Sequence, residues 1–272
     1  MRLRRGRELL RSGAPLRGLA GLLLTGAALL GAAVHAQDLS AHAAAGARFE
    51  ALRSAQPHAM PRLADPQAAQ ALRTLGDVAR FLPAHMSAQL PAVADTCGRV
   101  RDAVLAYQSF GALQDGQLSP QRLLDNGATY QEELGLLQPF LAHCIARQVP
   151  LAEAALQQID PRMRARLRLG GLQRGQATVM QLYASLSAAL ADPRVQPAQT
   201  QALLAALADT AGVHVRALTL ENRHALRAMA DEHLRQASAD GPMAPAWRRI
   251  EQALADERCA ALCELAASSP AR

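Results

Sequence analysis

The hydrophobic positions of this chain recur at the three-to-four-residue spacing that is typical of amphipathic helices. The clearest run holds Val93, Cys97, Val100, Val104 and Tyr107, whose spacing places all five side chains on one helix face. This helix is predicted to end before the turn-rich stretch 111–120.

A second apolar stripe follows a short predicted helix (120–125) and a predicted turn at Asn126-Gly127. Pro139 is expected to kink or restart the helix that carries this stripe, and Pro150 is expected to end it, because proline lacks the amide hydrogen that a helix interior requires. The members of the stripe are Leu134, Leu137, Leu141, Cys144 and Gln148.

An aspartate followed by proline marks the start of a long helix, which runs from Asp160-Pro161 to about Ala191. A tight connection (192–197) leads into a second long helix, which is predicted to continue towards Gln236 unless Gly212 interrupts it. The two helices together predict a long antiparallel helical hairpin. A last helix is predicted over 246–267.

The composition supports the same fold class. Half of the residues are apolar but only 3% are aromatic, so alanine and leucine, which favour helices, form most of the core. We therefore predict an all-α, disulfide-stapled multi-helix bundle that occupies 37–272 as a single domain. The proline-rich linker 54–66 leaves 38–90 as a candidate for a looser N-terminal helical part.

The first 36 residues have the pattern of an export signal. A basic start is followed by the uncharged apolar stretch 18–34, and Val34-His35-Ala36 fits the small-x-small cleavage rule. We expect cleavage after Ala36, a periplasmic or secreted location, and no stable membrane span in the processed chain. Retention of the stretch as a membrane anchor is the alternative, although 17 residues is near the lower limit for a span.

The positive charge of the chain belongs mostly to this signal. The whole sequence has 29 basic and 23 acidic residues, whereas 37–272 has 23 and 22. The composition therefore gives no reason to expect a nucleic-acid partner. All basic residues are arginine, which excludes a Schiff-base lysine, a Ser-x-x-Lys pair and a P-loop lysine.

The four cysteines predict two disulfides in an oxidising compartment. Cys259 and Cys263 fall on one predicted helix, where the Cβ atoms of residues i and i+4 lie about 5–6 Å apart. A disulfide prefers about 3.5–4.5 Å between these atoms, so a bridge within the helix is awkward. This geometry favours pairing each of them with Cys97 or Cys144. The alternatives are a Cys97–Cys144 bridge beside a strained or reduced Cys259 and Cys263, or a soft-metal site at those two thiolates.

Two stretches stand out as candidate binding surfaces, and each has a plainer explanation in core packing or a solvated helix face. The first, 107–140, is rich in aromatic residues and is a candidate groove for a ligand or partner. The second, 161–175, carries five arginines and no acid, and is a candidate site for an acidic protein or an anionic envelope component. The candidate residues are Tyr107, Phe110, Tyr130, Arg162, Arg164, Arg166, Arg168 and Arg174.

No motif in the sequence assigns a catalytic residue, a cofactor or a metal ligand. The segments LSPQ (118–121) and QPAQTQALLAAL (196–207) resemble the Leu-Thr-x-x-Gln segments of helical periplasmic stress chaperones. The first lacks the threonine and the second the leucine, so no role is transferred. The leading hypothesis is an exported binding protein: an adaptor, chaperone or accessory factor. The alternatives are an envelope hydrolase and a thiol or soft-metal handling protein that uses Cys259 and Cys263.

Overall fold

The fold is all-α, as the hydrophobic periodicity predicts. A computed structural model describes residues 26–81, 90–114, 117–160, 170–236 and 241–267. The helices are α1 (Gly26–Ala55), α2 (Pro66–Leu75), α3 (Leu90–Ser109), α4 (Pro120–Thr129), α5 (Gln131–Gln157), α6 (Gly170–Ala191), α7 (Pro197–His214), α8 (Leu220–Gln236), α9 (Ala244–Leu254) and α10 (Ala261–Ala267).

The chain divides into two compact units, Met1–Gln37 and Asp38–Arg272. The described part of the first unit is the beginning of α1, and signal cleavage after Ala36 stays a prediction. Among the described residues, no helix has both the length and the apolar character needed to cross a membrane.

Helices α5 and α7 pack against each other and form the centre of the second unit. Helix α3 covers another side of α5, while α9 packs on both α7 and α8. Leucine and alanine make up most of the buried core, together with a few aromatic rings. The side chains of Leu137, Leu207 and Trp247 are almost completely removed from solvent. The predicted hairpin is present in a shorter form as α6 and α7, joined by residues 192–196. The predicted first turns of its first helix, at 161–169, lie outside the described residues.

A short antiparallel hairpin connects α3 to α4. Its strands are β1 (Leu113–Gln114) and β2 (Gln117–Leu118), and Leu113 lies opposite Leu118. Gly111 has a φ of +59°, a left-handed conformation that a glycine adopts without steric cost, and it turns the chain out of α3 towards the hairpin.

Two of the sequence predictions misplace helix ends. Asn126 and Gly127 form no turn, because they lie inside α4, where the Asn126 amide donates to the carbonyls of Gln108 (2.9 Å) and Phe110 (2.8 Å). Pro150 does not end α5, which continues to Gln157 because Val149 and Leu151 on either side of the proline are buried. In both places, tertiary contacts outweigh the local preference of the residue.

The predicted long helix from Pro197 to Gln236 is two helices, and the break lies at 215–219 rather than at Gly212. Thr219 explains why a new helix begins here. Its hydroxyl accepts a hydrogen bond from the main-chain N–H of Asn222 (3.2 Å) and so caps the start of α8. Val215 and Leu218, within the break, are buried.

The predicted last helix is also interrupted, because residues 256–260 are not helical. The guanidinium of Arg223, which is only 1% exposed, holds this segment. It donates to the carbonyls of Asp256 (2.6 Å), Arg258 (2.9 Å) and Leu218 (3.1 Å). A buried cation that satisfies three main-chain carbonyls thus fixes the C-terminal segment against α8.

Replacing Arg223 with methionine is expected to lower the free energy of unfolding by about 2 kcal/mol, because three carbonyls lose a charged donor while the apolar volume is kept. Chemical denaturation measures the loss, and amide hydrogen exchange should show that 256–260 opens first. Arg227→Met, one turn further along α8, is the control and should change stability by less than about 0.5 kcal/mol. Equal effects of the two variants would contradict this role of Arg223.

Candidate functional site

The described residues of the second unit form a groove of about 550 Å³. Its walls come from α3, α4, α5, α6 and α7, with β2 at its edge. The apolar part of the lining consists of leucine, alanine, valine and proline side chains. The leucines that line it are Leu105, Leu118, Leu123, Leu124, Leu134 and Leu203.

Exposed leucines concentrate at this groove. Among the described residues, the large apolar side chains that remain exposed are Leu105 (37%), Leu113 (67%), Leu118 (59%), Leu124 (43%) and Leu220 (37%). Three of the five line the groove, and a fourth, Leu113, lies across the hairpin from one of them. Clusters of exposed apolar side chains on soluble proteins commonly mark interaction sites.

The polar part of the lining is dominated by the side-chain amides of glutamine. The Gln181 amide donates to Gln108 Oε1 (2.6 Å), and Gln108 in turn donates to the hydroxyl of Ser185 (2.8 Å). This chain of hydrogen bonds joins α3 to α6 across the groove. The glutamines of the lining are Gln108, Gln131, Gln138, Gln181 and Gln199.

Gln131 has a positioning role at the edge of the groove. Its side-chain nitrogen donates to the main-chain carbonyls of Ala128 (3.1 Å) and Arg194 (3.3 Å). Its side-chain oxygen accepts from the main-chain N–H of Gln196 (2.7 Å). Gln131 therefore ties the connection between α6 and α7 to the junction of α4 and α5.

A glycine on α5 allows Gln199 to lie close to the floor of the groove. A Cβ atom at position 135 would overlap the side-chain amide oxygen of Gln199, so a larger residue there would require the Gln199 side chain to move. Gly127 on α4 differs, because a Cβ atom there would meet nothing within 4 Å.

The charged group of the groove is fully compensated. Asp192 is the titratable residue among the described lining residues, and its carboxylate binds the guanidinium of Arg194 (2.7 Å). Asp125 binds the same guanidinium (2.9 Å). Hydrogen bonds from Arg194 lower the pKa of both carboxyl groups, and the two carboxylates raise the pKa of Arg194. The groove is therefore aliphatic and amide-lined, with one ion cluster at its rim.

Two aromatic residues of the predicted ligand surface, Tyr107 and Tyr130, are buried in the core. Tyr107 is buried and donates to the carbonyl of Pro61 (2.5 Å), and Tyr130 is 8% exposed with the Arg62 guanidinium 5.0 Å from its ring. Phe110 is half-buried and packs edge-on against Tyr130. The buried Glu133 accepts from Arg62 (3.0 Å). These residues fasten the linker 56–65 to α3 and α5. A binding role for this stretch stays a prediction.

The arginine-rich surface is described only at its end. Arg162, Arg164, Arg166 and Arg168 lie outside the described residues, so an anionic partner for them stays a prediction. Arg174, in the second turn of α6, is exposed.

The cysteines pair differently from the favoured prediction. Cys97 is joined to Cys144, which links α3 to α5, and Cys259 is joined to Cys263. The prediction was wrong because it placed Cys259 and Cys263 on one continuous helix. Cys259 precedes the start of α10 at Ala261, and its Cα atom lies 5.2 Å from that of Cys263, within disulfide range. In this state neither thiolate is available to a metal ion.

The groove itself was not predicted from the sequence. Leu118 and Pro120 belong to the segment 118–121, and Gln199, Thr200 and Leu203 belong to the segment 196–207, so the two segments singled out by resemblance meet in its walls. Comparison of the chain with known proteins gave no matching family model, no matching curated protein and no matching solved structure.

Proposed function

We propose that this chain is an exported cell-envelope protein that acts by binding, and that its groove holds a neutral, aliphatic segment of a partner polypeptide. The basic and apolar N-terminal segment, followed by Val34-His35-Ala36, supports export to the periplasm or the exterior. Two disulfides are consistent with an oxidising compartment.

The gathering of exposed leucines carries this proposal. Leu105, Leu118 and Leu124 come from three separate elements and meet at one groove, while Leu113 extends the apolar area across the hairpin. Full burial of a leucine side chain contributes about 1.5–3 kcal/mol, so a partner that covers these residues gains substantial binding free energy.

The amide lining favours a peptide over an acyl chain. A lipid tail has no hydrogen-bonding group, and it would remove water from those glutamine donors and acceptors that the protein itself does not pair. A polypeptide offers N–H and C=O groups at regular intervals, and the glutamine side chain can donate to one and accept from the other. Among the described lining residues the charged group, Asp192, is paired with Arg194, which favours a neutral segment.

The test is selection of peptides from a random dodecapeptide phage library on the oxidised full-length protein. We expect enriched sequences with two or three aliphatic residues and few charges. A synthetic peptide of the enriched sequence should bind about tenfold more weakly to Leu105→Gln, because one apolar contact is lost.

Leu220→Gln is the matched control, because Leu220 is as exposed as Leu105 (37% each) but lies outside the groove lining. The proposal fails if no aliphatic sequence is enriched, or if both variants bind the peptide alike. A twelve-carbon fatty acid that displaces the peptide and binds much more tightly than any selected peptide would instead identify the groove as an acyl-chain site.

A further inference from the structure

The hairpin of β1 and β2 leaves main-chain groups unpaired along its outer edges. Leu113 lies opposite Leu118, and in the neighbouring pair the N–H of Ser119 donates to the carbonyl of Ala112 (2.8 Å). Hydrogen-bonded and non-hydrogen-bonded pairs alternate along an antiparallel ladder, so Leu113 and Leu118 form a non-hydrogen-bonded pair. The main-chain N–H and C=O of both leucines therefore point away from the opposite strand.

Of the two strands, β2 is the one at the groove. Leu118 lines the groove and is 59% exposed, whereas Leu113 is outside the lining. Within the described part of the chain, neither main-chain group of Leu118 has a hydrogen-bond partner. An exposed strand edge with free N–H and C=O groups is a template for pairing with another chain.

A strand added to this edge would direct every second side chain towards the groove. Directly opposite residues of neighbouring strands have their side chains on the same face of a sheet. Successive side chains of one strand alternate between the two faces. A residue paired with Leu118 therefore shares its face, and so do the residues two positions before and after it.

Two glutamines of the groove also require a partner with free main-chain groups. Gln138 and Gln199 line the groove, and their side-chain amides form no hydrogen bond to another described residue. An extended segment has N–H and C=O groups free along both edges, so it can pair with Leu118 and with these amides. A helical segment uses most of its main-chain groups internally and would cover the same donors and acceptors without pairing them.

We infer that the partner segment binds in an extended conformation, as a third strand on the free edge of β2, and that its aliphatic side chains occupy alternate positions. The N–H of Leu118 donates to this strand, and the C=O of Leu118 accepts from it. The inference rests on the proposed peptide-binding function and specifies the partner as a polypeptide with an unpaired strand. Because Asp192 of the lining is already paired with Arg194, charge complementarity favours a strand without charged residues.

Two phage libraries of dodecapeptides test the conformation of the partner on the oxidised full-length protein. Both carry the same number of aliphatic residues in an uncharged polar background. One library places them at alternate positions, and the other at the i, i+3, i+4, i+7 spacing of a helix face. We expect enrichment from the alternating library alone. Enrichment from the helical library, alone or equally, would overturn the extended mode but leave the groove as a peptide site. Enrichment from neither would overturn the proposed function and this inference with it.

Amide hydrogen exchange then locates the added strand, with a synthetic peptide of the enriched sequence at saturating concentration. We expect the N–H of Leu118 to exchange about tenfold more slowly in the complex, because it gains a hydrogen bond. The N–H of Leu113 is the internal control, since it has the equivalent unpaired position on β1 but lies outside the groove lining. Unchanged exchange at Leu118, or slower exchange at Leu113 instead, would overturn the assignment of this edge.

A pair of variants at position 118 separates the main-chain donor from the side chain. Leu118→Pro removes an N–H that the hairpin itself does not use, and proline is tolerated on the edges of sheets. Leu118→Ala loses the leucine side chain but keeps the N–H. We expect Leu118→Pro to bind the same peptide about fivefold more weakly than Leu118→Ala, because one hydrogen bond is lost. Equal binding by the two variants would contradict the inference.

Discussion

Removing the Cys97–Cys144 disulfide by replacing both cysteines with alanine is expected to lower the free energy of unfolding by about 4 kcal/mol. The two residues are 47 positions apart, so the bridge removes much of the conformational freedom of the unfolded chain. Both side chains are buried between α3 and α5, and alanine keeps the site apolar. A typical domain is stable by only 5–15 kcal/mol. Denaturant titration of the oxidised protein measures the change.

The double alanine variant of Cys259 and Cys263 is the matched control. These residues are only four positions apart, so the same reasoning gives a loss of about 2 kcal/mol. Cys259 is half-buried whereas Cys144 is fully buried, so a low concentration of reductant should open the Cys259–Cys263 bridge first. Protease sensitivity of the C-terminal segment should then rise before the rest unfolds. A smaller loss for the Cys97–Cys144 variant than for the control would contradict the expectation.

Acidification from pH 6.5 to pH 4 is expected to destabilise the fold by about 3 kcal/mol through His214. Burial lowers the pKa of this imidazole from 6.5 to about 4, the Ala142 carbonyl opposes the shift, and nearby His143 adds to it. Between these pH values the unfolded chain takes up a proton that the folded chain does not. The free energy of unfolding therefore falls as the pH falls from about 6.5 to about 4. Above and below this range, the contribution of His214 to stability does not change with pH.

His214→Gln isolates this effect, because glutamine can still donate to the Ala142 carbonyl but does not titrate. Burial also lowers the pKa of His143 and His233, so the wild-type slope contains their contributions as well. The difference between the two pH profiles of unfolding free energy gives the His214 part. Parallel profiles would show that His214 is accessible to protons in the folded protein.

Hydrophobic periodicity was sufficient to predict the fold class and several helices. The stripe from Val93 to Tyr107 lies on α3, and its members are buried. An aspartate followed by proline also opens α2, where the Asp65 carboxylate accepts from the main-chain N–H of Gln67 (2.9 Å). These elements can be predicted because they depend on residue spacing and capping within one helix.

The position of the last helix break and the pairing of the cysteines depend on contacts between residues that are far apart in the sequence. Nothing local in residues 256–260 indicates that Arg223, more than 30 positions earlier, draws their carbonyls out of a helix. The error in cysteine pairing follows directly from that break. The cap at Thr219 was a local signal in the sequence, and it could have predicted the start of α8.

The groove was out of reach for a related reason. Leu105 belongs to the helix whose opposite face carries the core stripe, and an exposed leucine on one helix is unremarkable by itself. Leu105 indicates a binding groove only once the fold places Leu118 and Leu124, from other elements, in the same groove. Conversely, Tyr107 and Tyr130 attract attention as aromatic residues, yet they are used to hold the linker.

The hydrogen bonds from Arg223 to main-chain carbonyls affect which positions can change in evolution. Every amino acid carries a carbonyl, so the side chains at positions 256–258 can vary without weakening these hydrogen bonds. The constraint falls instead on position 223, where the planar fork of arginine reaches three acceptors and lysine offers only a single point of charge. In a library of variants, we therefore expect position 257 to tolerate most substitutions while position 223 tolerates almost none, although the two lie in the same cluster.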